Sequence, residues 1–154
     1  MPLTLRDTHM INAKSSYRAK PTWINPLYLF AALLMTSNTA YADAISNVQN
    51  YTDQQFASTA KLMAEAVSRS APAQIDNVTT LLGAVYLPDY KIFQYRYEST
   101  TPLNHQKGQK YLEKHTCSDP LRRAYMSRGM IFKHVYYTPT GQVTFTVSRS
   151  SCAN

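Results

Sequence analysis

Past the first forty residues, apolar positions recur along the chain in two rhythms. Between Thr52 and Arg69, Phe56, Ala60, Met63, Ala64 and Val67 are spaced by three and four, which puts them on one stripe of a helix. Lys61, Glu65 and Arg69 fall off that stripe at i, i+4 spacing. Thr52-Asp53-Gln54-Gln55 has the form of a capped helix start, and Pro72 marks the stop. The period then shortens. Asp76 to Tyr86 is rich in β-branched, aliphatic and aromatic residues and predicts a first strand, with Gly83 as a bulge or a close approach. Pro88-Asp89 signals a turn. Lys91 to Glu98 alternates as the antiparallel partner, with Phe93, Tyr95 and Tyr97 on one side and Ile92, Gln94 and Arg96 on the other.

Thr100-Thr101-Pro102 supplies a cap and a first-turn proline for a second helix, Leu103 to His115, in which Gly108 costs about 1 kcal/mol relative to Ala. A third, shorter helix follows Cys117. Ser118 or Asp119 caps it, Pro120 sits in its first turn, Leu121, Tyr125 and Met126 form its buried stripe, and Gly129 ends it. Met130 to Tyr137 and Gln142 to Ser150 then form a hairpin around Thr138-Pro139-Thr140-Gly141. If Thr138 faces Gln142, Val135 lies opposite Phe145 and Tyr137 opposite Val143, while Phe132, His134 and Tyr136 share the other face with Thr144 and Thr146. Asp43 to Tyr51 is polar and is expected to be a mobile lead-in. The order helix, hairpin, helices, hairpin predicts an α+β fold: a four-stranded, mainly antiparallel sheet of two hairpins with helices packed on one face.

The N-terminal stretch has a different pattern. Arg6, Lys14, Arg18 and Lys20 precede an apolar run, Pro26 to Met35, which is followed by Ala40-Tyr41-Ala42. This is the layout of a secretory signal, since about ten apolar residues fall short of the roughly 20 needed to span a bilayer and the small-x-small tripeptide suits signal peptidase. Residues 1–42 are therefore expected to be a signal peptide cut after Ala42, and residues 43–154 a single α+β domain. Met10 offers an alternative translation start that yields the same product. No cysteine lies near the cut to carry a lipid, so no stable membrane anchor is expected after cleavage. The product is expected in the periplasm or secreted.

Cleavage leaves 112 of 154 residues, enough for one core, with 12 Lys and Arg against 8 Asp and Glu. That mild excess is not the clustered basic signature of a nucleic-acid binder. Both cysteines, Cys117 and Cys152, lie in the exported part and are expected to pair in an oxidising compartment. Closing that loop stabilises a fold by roughly 3 to 4 kcal/mol in the chain-entropy picture. His105, His115, Cys117 and His134 are too sparse for a metal site, and no cofactor motif is present. The carboxylates are scattered, and there is neither a Gly-x-Ser-x-Gly motif nor a Gly-rich phosphate loop, so the sequence names no reaction.

Two groups of residues remain as candidate binding surfaces. Arg122, Arg123 and Arg128 are a candidate anion contact, set against the simpler reading of a solvated helix face. Tyr95, Tyr97, Phe132, His134 and Tyr136 are a candidate interface for a protein partner or for self-association, because a helix layer covers only one sheet face and leaves aromatic residues on the other.

Cys117-Ser-Asp-Pro-Leu-Arg-Arg-Ala-Tyr-Met-Ser-Arg-Gly129, Ile131 to Tyr137, Gly141 and Cys152, with Ile75 to Thr79 and Phe93 to Tyr97 upstream, resemble a group of small exported bacterial proteins. One member of that group is a quorum-sensing-regulated virulence factor. The resemblance covers most of the exported chain and implies export, the disulfide and a helix-plus-sheet fold more than any activity. The function expected is a non-enzymatic binding or interaction protein. The alternatives are a small exported enzyme or inhibitor, or an accessory component of an envelope secretion or conjugation apparatus.

Overall fold

The computed structural model describes residues 38–152. The basic segment and the apolar run expected to form the leader lie outside the described residues. Four helices, α1 (Asn38–Asn50), α2 (Asp53–Arg69), α3 (His105–Ser118) and α4 (Pro120–Ser127), accompany five strands, β1 (Ala73–Gln74), β2 (Thr79–Leu87), β3 (Ile92–Ser99), β4 (Ile131–Thr138) and β5 (Gly141–Val147). The strands form one sheet in the order β1-β2-β3-β4-β5.

The fold is α+β, as expected, but the sheet differs in two respects. A two-residue strand, β1, adds a fifth member by pairing Ala73 with Leu81 and Gln74 with Thr80. The two hairpins meet through a parallel pair, β3 with β4, so the sheet is mixed. The sequence order already contains the reason. The connection from β3 to β4 runs through α3 and α4, and a helical crossover of this kind returns the chain to lay the next strand parallel to the last.

Local signals explain most element boundaries. Thr52 and Gln55 cap α2 reciprocally, and Asp119 caps α4 by accepting from the Leu121 and Arg122 amides. α3 begins later than expected because Asn104, not Thr100 or Thr101, accepts from the Lys107 amide. Of the two roles open to Gly83, a bulge or a close approach, both are present: the register shifts between Leu81 and Gly83, and a Cβ at Gly83 would stand 3.1 Å from the Ser68 hydroxyl. The last hairpin is one residue out of the expected register. Thr138 pairs with Gly141 around Pro139-Thr140, which sets Val135 opposite Thr144 and His134 opposite Phe145. A one-residue slip exchanges faces, so Val143, Phe145 and Val147, not Thr144 and Thr146, join Phe132, His134 and Tyr136.

The segment Asp43 to Tyr51 is not a mobile lead-in, since most of it belongs to α1. Val48 is buried, Ala44 and Ile45 pack against the core, and the Arg128 guanidinium donates to the carbonyls of Val48, Gln49 and Tyr51. That cation satisfies the carbonyls left open at the helix C-terminus, a contact between residues about eighty positions apart that local patterning cannot reveal. α1 also runs through Ala40-Tyr41-Ala42, so a cut there would leave its C-terminal turns in place.

α2 packs on β2 and α3 on β5, while α1 packs on α4 and α4 on α3. Their stripes meet Leu81, Ala84, Tyr86, Phe93, Tyr95, Phe132, Phe145 and Val147 in a single core. The sheet edges are partly closed by side chains. The Ser68 hydroxyl of α2 donates to the Ala84 carbonyl and accepts from its amide, and Gln109 of α3 donates to the Thr146 carbonyl. Cys117 and Cys152 form a disulfide that ties the end of α3 to the C-terminal turn Arg149–Cys152.

Gly108 lets α3 lie directly on the sheet, because a Cβ there would stand 2.6 Å from the Phe145 ring. Helix propensity alone favours Ala by about 1 kcal/mol. The close approach overrides it, so Gly108→Ala is expected to destabilise the fold by about 1 to 3 kcal/mol in denaturant unfolding.

Candidate functional site

The parallel register of β3 and β4 sets like positions side by side. Phe93 lies beside Phe132, Tyr95 beside His134 and Tyr97 beside Tyr136. Because all six share a strand parity, they project to the same face, the one that carries the helices. The five residues expected on an exposed sheet face are therefore brought together, but under the helix layer. Phe132, His134 and Tyr95 are buried at 1 %, 3 % and 6 % exposure, while Tyr97 and Tyr136 are half-buried. Alternation identifies which residues share a face. It does not say which face the helices will cover, and the larger rings win that competition because they remove more apolar area from water. The face without helices instead carries Val85, Leu87, Gln94, Arg96, Lys133 and Tyr137.

The inner rings form a continuous strip. Tyr95 stacks on His134 at 5.1 Å between centroids, His134 on Tyr97 at 5.9 Å, and Tyr97 on Tyr136 at 4.5 Å, with interplanar angles of 15°, 12° and 14°. Tyr136 then meets the edge of Phe145. α2 packs on β2 and α3 on β5, the two flanks of the sheet, so the Tyr97–Tyr136 end of the strip sits over the middle strands between these helices. Met63 of α2 and Leu103 before α3 are half-buried beside the core, and Tyr111 of α3 is exposed yet close enough to act electrostatically on both Tyr97 and Tyr136.

Burial also shifts the titration of the strip's polar groups. Burial raises the Tyr97 phenol well above its usual value, with the neighbouring phenols adding to the rise, and pushes Tyr136 up to about 12. Desolvation, with the Arg122 cation as a lesser cause, brings His134 from the ordinary 6.5 down to about 3. The Tyr97 hydroxyl lies 3.4 Å from His134 Nδ1, whereas Nε2 is buried without a hydrogen-bond partner. A buried imidazole this weakly basic packs as a neutral ring. As a general base it has little driving force at neutral pH.

The three arginines do not converge on one anion site. Arg122 pairs with Asp119 and lies over the Phe132 ring, and Arg128 is spent on the α1 carbonyls, Asp53 and the Phe56 ring. Arg123 alone lines an open recess, together with Cys117 and Cys152. Tyr111, beside the strip, and Arg149, in the lining of the recess, were passed over in the sequence reading. The Tyr111 ring meets that of His115, four residues on, at a tilt of 51°, and that spacing was the one available signal. Among the described residues, no group of three or more His, Cys, Asp or Glu is placed to hold a metal.

Together the fold and the strip define a small disulfide-closed α+β domain whose candidate surface is aromatic. No family model matches the sequence, and no curated protein matches it. Similar folds are found among solved structures. A Pseudomonas aeruginosa protein assigned as secreted has a TM-score of 0.56 at 18% identity, covering 65% of this chain and 95% of its own. EpsS, the pilotin of the Vibrio vulnificus type 2 secretion system, has a TM-score of 0.57 at 16% identity, with 66% and 96% covered. AspS, a type II secretion system pilotin from Vibrio cholerae, has 0.50 at 16% identity, with 73% and 99% covered. At such identities the likeness is one of fold.

The neutral burial of His134 has a consequence for stability. Above its unfolded value of about 6.5 neither state takes up the proton, whereas between about 6.5 and 3 only the unfolded chain does. Stability should therefore fall as the pH drops below 6.5, by up to about 1.4 kcal/mol per pH unit from this residue. His134→Phe is expected to remove that part of the slope in urea unfolding between pH 7 and 4. Parallel loss of stability in both proteins would contradict the assignment.

Proposed function

We propose that this protein is an exported, non-enzymatic binding protein that serves as an accessory component of an envelope secretion apparatus, its leader removed after Ala42. It holds a segment of a protein partner over the Tyr97–Tyr136 end of the aromatic strip. The observation that carries this reading is the stacked pair itself, two half-buried tyrosines on the helix side of the sheet between α2 and α3. Rings with an apolar face and a hydroxyl tip are enriched at the energetic centres of protein interfaces.

The place of action is supported by the two similar folds that are secretion pilotins and by the third assigned as secreted. The link to virulence implied by the family resemblance would, on this reading, act through secretion.

Replacing Tyr97 and Tyr136 together by Ser tests the proposal. With a photo-crosslinking residue at Met63, the unaltered protein is expected to form a discrete adduct with a component of a secretion apparatus in the cell envelope. The double variant, shown to be folded by its thermal transition, should lose at least nine-tenths of that adduct, since removing two interface rings costs about 2 kcal/mol or more. An undiminished adduct in the folded variant would sink the reading.

A further inference from the structure

A second feature stands apart from the aromatic strip. α1, α4 and the C-terminal turn line an open recess of about 650 Å³, within the size range of small-molecule sites. Ile45, Pro120, Ala124, Met126 and the Cys117–Cys152 disulfide give it apolar walls, and Arg123 and Arg149 are its charged groups. Among the described residues no carboxylate lines it, and neither arginine has an ion-pair partner. Asp119, the acidic residue nearest in sequence, is turned to the Arg122 side chain and the first amides of α4.

The remaining polar groups of the lining are largely engaged with one another. Gln49 donates to the Ser127 hydroxyl, which itself donates to the Ala124 carbonyl. What the recess offers a ligand is therefore apolar surface and guanidinium donors, with few acceptors. An extended peptide would bring backbone N–H groups that find no partner there, at a cost of about 1 to 3 kcal/mol each. A hydrocarbon chain ending in an acceptor-only anion meets no such penalty, and a carboxylate matches the guanidinium fork.

We propose that this recess binds a single-chain fatty carboxylate, with its acyl chain against Ile45, Pro120 and the disulfide, over the buried Met126, and its carboxylate between Arg123 and Arg149. The site is separate from the tyrosine strip and does not depend on the function assigned to it.

Laurate, below its micellar concentration, is the probe. Calorimetry should show saturable 1:1 binding, and methyl NMR should place the shifts at Ile45 and Met126. Arg123→Gln/Arg149→Gln should weaken laurate binding at least tenfold and leave the weaker binding of dodecanol, which has the same chain and no charge, unchanged. The methyl shifts in the unaltered protein decide the matter even if the double variant folds poorly. The proposal is overturned if laurate does not saturate, if it binds no better than dodecanol, or if its shifts map to the tyrosine strip. It is equally overturned if the double substitution abolishes capture of a protein partner while laurate fails to bind, since the recess would then belong to a polypeptide.

Discussion

The parallel pairing of β3 with β4 is the constraint on which the rest of this molecule depends. It joins two hairpins into one sheet, and its in-register alignment sets Phe93 beside Phe132, Tyr95 beside His134 and Tyr97 beside Tyr136. Packing then grades along that line. At one end Phe93 and Phe132 are sealed under the core, in the middle His134 is held neutral between two phenols, and at the other end Tyr97 and Tyr136 are half in water. The same crossover that makes the strands parallel supplies α3 and α4, which flank and floor this gradient. Fold and candidate site are thus products of one topological choice.

Two further devices keep a domain of this size closed. The disulfide links the end of α3 to the last turn across 35 residues, and by limiting the unfolded chain it contributes on the order of 3 to 4 kcal/mol. Arg128 performs a comparable task at the other side, gathering three carbonyls at the end of α1 and the Asp53 carboxylate at the start of α2. Charged hydrogen bonds of this kind are stronger than neutral ones, which is why a residue that resembles a surface cation in sequence acts as a clasp in the fold.

Much of this was legible before any coordinates. The capping box at Thr52, the Asp119-Pro120 start of α4, the bulge at Gly83 and the pairing of the two thiols each depend on residues whose chemistry admits few conformations. What escaped was tertiary. α1 owes its order to Val48 and to a guanidinium eighty residues away, and the β4–β5 register turned on whether Pro139-Thr140 alone forms the turn. The candidate tyrosines were grouped on the right strands and placed on the wrong side of the sheet. Period-two alternation separates two faces without labelling the one that helices will cover, and that label comes from tertiary packing, which here buries Phe93, Phe132 and Phe145.

The pairing of β3 with β4 can be tested directly by nuclear Overhauser contacts between residues 92–98 and 131–137. The account predicts amide-to-Hα contacts in the slanted pattern of a parallel ladder, together with ring contacts from Tyr95 to His134 and from Tyr97 to Tyr136. Close Hα-to-Hα contacts between these segments, which require the directly opposed pairs of an antiparallel ladder, would contradict it.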